Sequence, residues 1–186
     1  MCGIYGVLSQ TNTIDLINSL QKLEYRGYDS CGIAYKSKEN TFMFKTVGNT
    51  SKLKEKVAYS DLSLAIGHTR WATHGGVSEK NAHPHHLSKD SLYVVHNGVI
   101  DNFRKIKEKY NFKFYSDTDS EIICHLLNYY RKDNSILDAL KIIAKELSGS
   151  YAIVIMDSIN NGIYFLKNKS PLLIGKLNNK TIISST

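Results

Sequence analysis

The chain has 186 residues, of which 42% are hydrophobic and 22% charged, and these values suit a single folded domain with a substantial core. No apolar run is long enough to span a bilayer and no signal-peptide pattern opens the chain, so we expect a cytoplasmic protein without a membrane partner. The formal net charge is +7. The lysines are scattered among acidic residues, however, which favours a solvated surface over a nucleic-acid groove.

The first third of the chain is predicted to alternate short strands with helices. Asn12 and Thr13 offer a helix N-cap ahead of apolar residues at helical spacing. A polar segment, residues 38–40, predicts a hairpin between two strands. We predict strands at 4–8, 32–35, 41–47 and 62–67, and helices from 14 to about 24 and over 51–58.

The rest of the chain begins with an irregular loop over residues 74–90 and ends in strands. Asp101 could cap one helix, and Thr118 with Glu121 has the form of a capping box for the next. Asn161-Gly162 predicts a hairpin turn. We predict strands at 92–95, 112–115, 151–156, 163–166, 172–174 and 181–184, and helices at 101–110, 121–130 and 135–147. This order of elements predicts an α+β layered domain.

Cys2 is the first candidate for chemistry. If Met1 is removed, Cys2 carries a thiol and a free α-amine, whose pKa of about 8 makes it available as a base at neutral pH. Gly3 would leave room for a substrate to come close. The alternative is that residue 2 is a cysteine by chance in an N-terminal strand.

Asn97-Gly98 follows the predicted strand 92–95. An asparagine side-chain N–H and a glycine backbone N–H can stabilise one developing oxyanion, as acyl transfer to Cys2 would require. The alternative is a type I′ turn, for which Asn-Gly is a favoured pair.

Arg70 and Asp119 are suited to hold a free amino acid. Arginine can bind an α-carboxylate through two parallel hydrogen bonds, and aspartate can accept from an α-ammonium group. The alternatives are a surface ion pair for Arg70 and favourable helix N-terminal electrostatics for Asp119. Trp71, Thr73 and His74, followed by two glycines, resemble a mobile lid with an aromatic cover, although an ordinary surface loop would also fit.

Other polar segments are interpreted as structural. Residues 83–86, His-Pro-His-His, lack a carboxylate or cysteine at metal-ligand spacing, so we predict no metal site there. Cys2, Cys31 and Cys124 form no CxxC pair, which argues against a disulfide framework or a zinc site. A turn network that holds nearby backbone is predicted from Glu24, Arg26, Asp29 and Ser30.

Seven segments, in this order along nearly the whole chain, resemble one family. They are MCGI at 1–4, LEYRGYDS at 23–30, GHTRWATHG at 67–75, NAHPH at 81–85, HNG at 96–98, SDTDSE at 116–121 and SPLLIG at 170–175. The family is the class II glutamine amidotransferase domain of the glucosamine-6-phosphate synthases, the isomerising glutamine–fructose-6-phosphate aminotransferases.

The resemblance implies an N-terminal-nucleophile hydrolase fold, a four-layer αββα sandwich of antiparallel sheets. It implies that L-glutamine is hydrolysed through a γ-glutamyl thioester, without a metal or organic cofactor, and that the ammonia passes to a sugar isomerase domain that binds fructose 6-phosphate. The roles it implies are nucleophile for Cys2, oxyanion hole for Asn97 and Gly98, glutamine binding for Arg70 and Asp119, and lid for Trp71, Thr73 and His74.

Three features depart from the family. Cys31 stands where a small residue such as alanine is usual, and Gly76 where a larger residue is common, which would loosen closure of the lid. The third is length: the chain, which we interpret as one amidotransferase domain over residues 1–186, stops at residues 182–186 inside a predicted strand. We therefore expect a domain truncated at its C-terminal end, with a missing sheet edge and no sugar isomerase domain.

Two other functions stay open from the sequence. One is a non-catalytic module that binds glutamine or pairs with a separate subunit. The other is an amidotransferase domain that serves another acceptor. A homo-oligomer is compatible with all three interpretations.

Overall fold

A computed structural model describes residues 1–87 and 91–186. Its strands form two antiparallel sheets: a six-stranded sheet in the order β3-β2-β4-β1-β9-β8 and a three-stranded sheet in the order β5-β6-β7. The strands are β1 (Gly3–Asn12), β2 (Ser30–Ser37), β3 (Asn40–Val47), β4 (Asp61–Arg70), β5 (Leu92–Ile100), β6 (Gly149–Asp157), β7 (Gly162–Asn168), β8 (Leu173–Leu177) and β9 (Lys180–Ser184).

Five α-helices are present in the described residues, together with a 3-10 helix over Glu24–Arg26. The α-helices are α1 (Thr13–Gln21), α2 (Thr50–Lys56), α3 (Phe103–Lys109), α4 (Glu121–Tyr130) and α5 (Ile136–Glu146). No helix among residues 1–87 and 91–186 is both long and apolar enough to cross a membrane.

Three apolar cores hold the layers together. One packs α1 and α2 against the outer face of the six-stranded sheet, and another packs α3, α4 and α5 against the outer face of the three-stranded sheet. The third lies between the two sheets and contains Ile4, Leu64, Val95 and Val154. The predicted α+β four-layer αββα sandwich of antiparallel sheets is therefore confirmed.

The two-residue period of the strands decides which side chains face each other across the sandwich. On β4, Leu64 and Ile66 point into the core between the sheets, so the polar residues that continue this alternation lie on the same face. On β5, Val95 is on the facing side, and the next residue of that face is Asn97. The ends of β4 and β5 thus place polar side chains opposite each other, next to the start of β1.

Several local predictions are confirmed. The Asn12 side chain caps α1 by accepting from the N–H of Asp15 at 2.9 Å. The hairpin predicted around residues 38–40 joins β2 to β3. A hairpin also joins β6 to β7, but its turn spans residues 158–161 and Gly162 is already the first residue of β7, so the predicted two-residue Asn161-Gly162 turn is not formed.

Predictions for the segment after residue 95 need correction. The strand predicted to end there continues to Ile100, and Asn97 and Gly98 pair with Ala152 and Tyr151 of β6. The alternative of a type I′ turn at Asn97-Gly98 is therefore wrong. The strand predicted at 112–115 is absent from the structure, where this segment is irregular.

The two helix caps predicted around residues 101 and 118 are also wrong. The N-cap of α3 is Asn102 rather than Asp101, and it makes no side-chain capping bond. Glu121 does not complete a capping box with Thr118. Its carboxylate instead accepts from the backbone N–H groups of Tyr115 at 2.9 Å and Ser116 at 2.7 Å, which orders the irregular segment before α4.

The C-terminal strand predicted at 181–184 is present as β9. β9 is an interior strand that pairs with β1 on one side and with β8 on the other. The edge of the six-stranded sheet is β8, where Leu173, Ile174 and Leu177 are exposed. The last three residues of the predicted loop 74–90, residues 88–90, lie outside the described residues.

Candidate active site

Cys2 lies immediately before β1, at the point where β1 meets the ends of β4 and β5. The backbone N–H of Trp71 donates to its Sγ at 3.2 Å. Its carbonyl oxygen accepts from Arg26 Nε at 2.9 Å and from Asn97 Nδ2 at 2.8 Å. Residue 2 is therefore held by hydrogen bonds from three separate segments.

Opposing effects act on the pKa of the Cys2 thiol. Burial raises this pKa above its usual value, while the Trp71 N–H, the N-terminal ammonium group and the guanidinium groups of Arg70 and Arg26 lower it. At Cys31 the balance is different, because burial and the nearby Glu24 carboxylate raise the pKa to about 12. Cys2 thus has three cationic groups around a partly accessible thiol, which is the environment of a reactive cysteine, whereas Cys31 and Cys124 are buried.

Asn97 and Gly98 lie on β5, beside the start of β1. Asn97 is buried, and its Oδ1 lies 2.9 Å from His68 Nε2 while its Nδ2 donates to the Cys2 carbonyl. Gly98 has a φ of +110°, and a Cβ atom there would lie 1.9 Å from the Ser150 carbonyl oxygen of the paired strand. Only glycine fits this position.

Arg70 is the last residue of β4 and its side chain is buried, so it is not part of a surface ion pair. Its guanidinium group donates to the backbone carbonyls of the loop that follows, at 2.6 Å to His74, 3.3 Å to Gly75 and 3.0 Å to Gly76. Burial lowers its pKa, and charges at Cys2, Asp119 and Asp29 act in the opposite direction.

Asp119 lies in the segment that leads into α4, and it is buried. Its Oδ2 accepts from the backbone N–H of Ile100, the last residue of β5, at 2.8 Å. This bond ties the α4 side of the site to the strand that carries Asn97.

The loop after β4 covers the site. Asp29 Oδ2 accepts from the N–H of Ala72 at 2.9 Å, and the Tyr28 ring packs edge-on against Trp71 at 6.1 Å between ring centres. Trp71 and Thr73 remain exposed, and the His74 ring contacts that of Phe103 at 6.1 Å.

The structure brings all eight predicted site residues together around two adjoining cavities. The inner cavity, of about 20 Å³, has room for roughly one water-sized group. The outer cavity, of about 340 Å³, opens beside Cys2, Asn97 and Gly98. The inner cavity is lined by Cys2, Arg70, Trp71, Thr73, His74, Gly98 and Asp119, among others.

This arrangement combines a thiol, amide N–H donors, a guanidinium group and a carboxylate within one enclosed site. A thiol beside fixed N–H donors is equipped for acyl transfer. The buried guanidinium and carboxylate groups supply the two charges that a free amino acid needs for recognition.

The turn network predicted around residues 24–30 is present except at Ser30. Glu24 accepts from the N–H of Thr50 at 2.6 Å, and Arg26 and Asp29 hold Cys2 and Ala72 as described above. The Ser30 hydroxyl is buried without a hydrogen-bond partner in the described part of the chain.

The expected role of Gly3 also needs correction. A Cβ atom at this residue would lie 2.6 Å from Thr69 Oγ1 and 2.7 Å from Leu23 Cβ. Gly3 therefore makes room for the packing of the protein itself rather than for a substrate.

Three buried histidines near the site were not predicted as site residues. His68 and His96 bond to Asn97 and Ser120, respectively, and the His83 ring packs against that of His68 at 4.1 Å between ring centres, tilted by 31°. Burial lowers the pKa of each of the three rings. The signal for His68 was its position two residues before Arg70, which places both on the inner face of β4.

Sequence comparison relates the chain to glutamine amidotransferases. A family model described as a glutamine amidotransferase domain matches residues 68–186. The chain is 47% identical over 181 residues to an isomerising glutamine–fructose-6-phosphate aminotransferase of Streptococcus pneumoniae, and it covers 30% of that protein. The chain is also 45% identical over 190 residues to the enzyme of that name from Listeria monocytogenes. This match includes the whole chain and 32% of the Listeria enzyme.

Solved structures share the fold. The glutamine phosphoribosylpyrophosphate amidotransferase of B. subtilis superposes with a TM-score of 0.82 at 24% identity, covering 99% of this chain and 42% of that one. A structure titled as the allosteric regulatory enzyme of purine biosynthesis gives a TM-score of 0.83 at 25% identity, with the same coverage. The chain therefore spans less than half of these structures and about 30% of the curated relatives above.

Proposed function

Because the chain belongs to the glutamine amidotransferase domain family, we propose that it hydrolyses the side-chain amide of L-glutamine through a thioester on Cys2 and releases ammonia. The observation that carries the proposal is that hydrogen-bond donors from separate segments converge on Cys2. The Trp71 N–H donates a hydrogen bond to the Cys2 thiol, and the side-chain amide of Asn97 donates one to the carbonyl oxygen of the same residue. On this proposal, residues 1–186 act as the amidotransferase unit.

The proposed reaction has two steps. Removal of the exposed Met1 leaves the α-amine of Cys2, which takes the thiol proton while Sγ attacks the glutamine side-chain carbonyl. The C–N bond then breaks, the leaving nitrogen takes that proton, and ammonia departs from a γ-glutamyl thioester. Water hydrolyses the thioester to glutamate and restores the thiol.

Asn97 and Gly98 stabilise the oxyanion in both steps. An asparagine amide has two N–H bonds, so one can stay on the Cys2 carbonyl while the other meets the developing oxyanion. The backbone N–H of Gly98 is proposed as the second donor, held by the pairing of β5 with β6.

Arg70 and Asp119 hold the α-carboxylate and α-ammonium groups of glutamine. Arg70 has five N–H bonds and uses part of them on the loop carbonyls, so the same guanidinium group can bind substrate and hold the lid. The inner cavity of about 20 Å³ is too small for a glutamine molecule, so the lid formed by Trp71, Thr73 and His74 must open to admit it.

For the acceptor we propose fructose 6-phosphate. Support comes from relatives at 45–47% identity that are named as glutamine–fructose-6-phosphate aminotransferases. The chain spans about 30% of those relatives, so the sugar isomerase that would use the ammonia belongs to further sequence or to another chain. The cytoplasm is the location we propose.

Intact mass and glutamine turnover test the proposal together. We expect the purified chain to lack Met1, to form one adduct on Cys2 with a glutamine-mimicking diazo-ketone, and to release ammonia from glutamine. Cys2→Ala should abolish both adduct and turnover. A matched control is Cys31→Ala, which removes a buried thiol outside the site and should leave both unchanged.

The pH dependence of alkylation by iodoacetamide adds a second measurement. In the chain that retains Met1, burial raises the Cys2 pKa above its usual value of 9.0, so the alkylation rate of that unprocessed form should keep rising with pH through that value. Cys31, with a pKa of about 12, should stay unlabelled over the same range. A chain that retains Met1, or that loses it and neither takes an adduct nor hydrolyses glutamine, would contradict the proposed function and leave a binding module.

A further inference from the structure

His68 lies on β4, two residues before Arg70, and no part of it reaches the surface. Its Nε2 lies 3.0 Å from the carbonyl oxygen of His96 and 2.9 Å from Oδ1 of Asn97, both on β5. One ring nitrogen therefore contacts two groups of the facing sheet.

The chemistry of these contacts determines the tautomer. A backbone carbonyl can only accept, so the ring nitrogen that bonds to His96 must carry the hydrogen. The same N–H then requires an acceptor in the Asn97 side chain, which places Oδ1 toward His68 and Nδ2 toward Cys2. The opposite amide orientation would bring two donors together.

The ring stays neutral in this environment. Burial lowers the pKa of His68 to about 3, with the two hydrogen bonds acting in the opposite direction. Its Nδ1 is buried without a hydrogen-bond partner in the described residues, so a second ring proton would be unsatisfied there. The Arg70 guanidinium also disfavours a positive charge on His68, as would a proton on either neighbouring ring, His96 or His83.

We infer that His68 is a positioning residue for the proposed reaction, because its Nε2–H holds Oδ1 of Asn97 and so directs the Asn97 amide N–H groups to the Cys2 side of the site. The inference rests on the proposed function and deepens it. His68 touches neither glutamine nor the thiol. It acts by excluding the flipped amide, in which an oxygen would face the developing oxyanion.

Steady-state glutamine hydrolysis by His68→Phe is the first test. Phenylalanine has a similar size and no N–H, so the Asn97 amide loses the bond that selects its orientation. We expect kcat to fall about a hundredfold, the lower end of the loss seen when an oxyanion-hole donor is removed. KM should change by no more than about threefold, because Arg70 and Asp119 are untouched.

His68→Gln should recover much of the loss. Its side-chain nitrogen is as many bonds from Cα as Nε2 is, and it carries an N–H. Ile66→Ala serves as the matched control, since it removes buried volume from the same strand without a bond to Asn97. Alkylation of Cys2 by iodoacetamide, which forms no oxyanion, should keep its rate in both His68 variants.

Nitrogen NMR of histidine-labelled wild-type chain gives a measurement that needs no variant to fold. We expect His68 to carry its proton on Nε2 and to show no titration between about pH 5 and 8. An Nδ1–H tautomer or a titrating ring would overturn the inference whatever the kinetics show.

The kinetic outcomes separate the remaining explanations. If His68→Phe loses no more kcat than Ile66→Ala, or loses alkylation in parallel, the role of His68 is merely structural and the inference is wrong. A rise in KM with kcat preserved would also overturn it. If the wild-type chain does not hydrolyse glutamine, both the proposed function and the inference are wrong. If the wild-type chain and His68→Phe are both active, only the inference is wrong.

Discussion

The site has two halves that are built differently. One half lies on the ends of β4 and β5, where Arg70 is 3% exposed and Asn97 is 6% exposed, and the side chains bond to backbone or to other buried groups. The other half is the loop after β4, where Trp71 is 47% exposed and contacts Tyr28 only at the edge of a ring.

The difference follows from what each half has to do in the proposed reaction. Groups that stabilise a transition state must keep their geometry within a fraction of an ångström, and paired strands provide that rigidity. Groups that admit a substrate must move, and a loop with few buried contacts can do so at low cost. The rigid half should therefore control kcat and the loop should control access.

Arg70 connects the two halves. Its backbone ends β4, while its guanidinium group holds the carbonyls of residues 74–76. Binding of a carboxylate by this group and closure of the loop are therefore expected to occur together, because both use N–H donors of one guanidinium group, the loop taking some of the five and the carboxylate the others.

The largest effect in the rigid half is expected from Asn97→Ala. The substitution removes the amide N–H proposed for the oxyanion, so kcat should fall about a hundred- to a thousandfold, with KM much less affected. Steady-state ammonia release measures it.

A matched control is Asn134→Ala. Asn134 Nδ2 also donates to a backbone carbonyl, that of Tyr130 at 2.9 Å, but it lies beyond the end of α4 and outside the site. The kcat of the Asn134→Ala variant should stay within about twofold of the wild-type value. Equal losses in both variants would show that Asn97 contributes to stability rather than to catalysis.

Gly98→Ala should lower the stability of the whole domain, because it disturbs the pairing of two strands and not only a single hydrogen bond. The new Cβ would lie 1.9 Å from the Ser150 carbonyl, and the φ of +110° is unfavourable for alanine. Separating β5 from β6 at this point should cost about 3 kcal/mol, or a fall in melting temperature of about 6–12 °C.

Thermal unfolding monitored by circular dichroism measures this cost. Gly175→Ala is the control, because a Cβ at this position on β8 meets no atom within 4 Å and the backbone is not left-handed. Unchanged stability of Gly98→Ala would mean that β5 can separate from β6 at this point without loss of stability, which would contradict the rigidity inferred for the half of the site that β5 carries.

How far the sequence predicts these features depends on whether they are local. The apolar run of β6, the helix α5 and the N-cap of α1 were predicted because periodicity and capping residues are local signals. The prediction of a strand at 112–115 was wrong. Phe112 and Phe114 alternate like strand residues, but their rings stack on His125 of α4, at 5.0 and 5.1 Å between ring centres.

The same distinction applies to the site. The residue types and their order indicated which side chains to consider, and all eight lie around the two cavities. The continuation of β5 through Asn97-Gly98 was missed because the local preference of Asn-Gly for a turn is overridden by pairing with β6. His68 was missed because its importance depends on which strand faces β4, and periodicity alone does not determine the order of strands.

The smallest effect is expected in the loop, from Gly76→Ala. No atom lies within 4 Å of a Cβ at this position and the backbone is not left-handed, so alanine fits. It should restrict the open loop and favour the conformation whose carbonyl already accepts from Arg70. We expect KM for glutamine to fall about two- to fivefold, corresponding to about 0.4–1 kcal/mol, with kcat nearly constant.

The neighbouring glycine provides the contrast. Gly75 has a φ of +78°, and a Cβ there would lie 2.9 Å from Asn81 Nδ2, so Gly75→Ala should raise KM and lower the melting temperature. Opposite shifts in KM at adjacent residues would show that the loop acts through its closed conformation. If Gly76→Ala lowers kcat as strongly as a change on β5 does, then the loop carries transition-state groups and the division of the site into a rigid half and a mobile half is wrong.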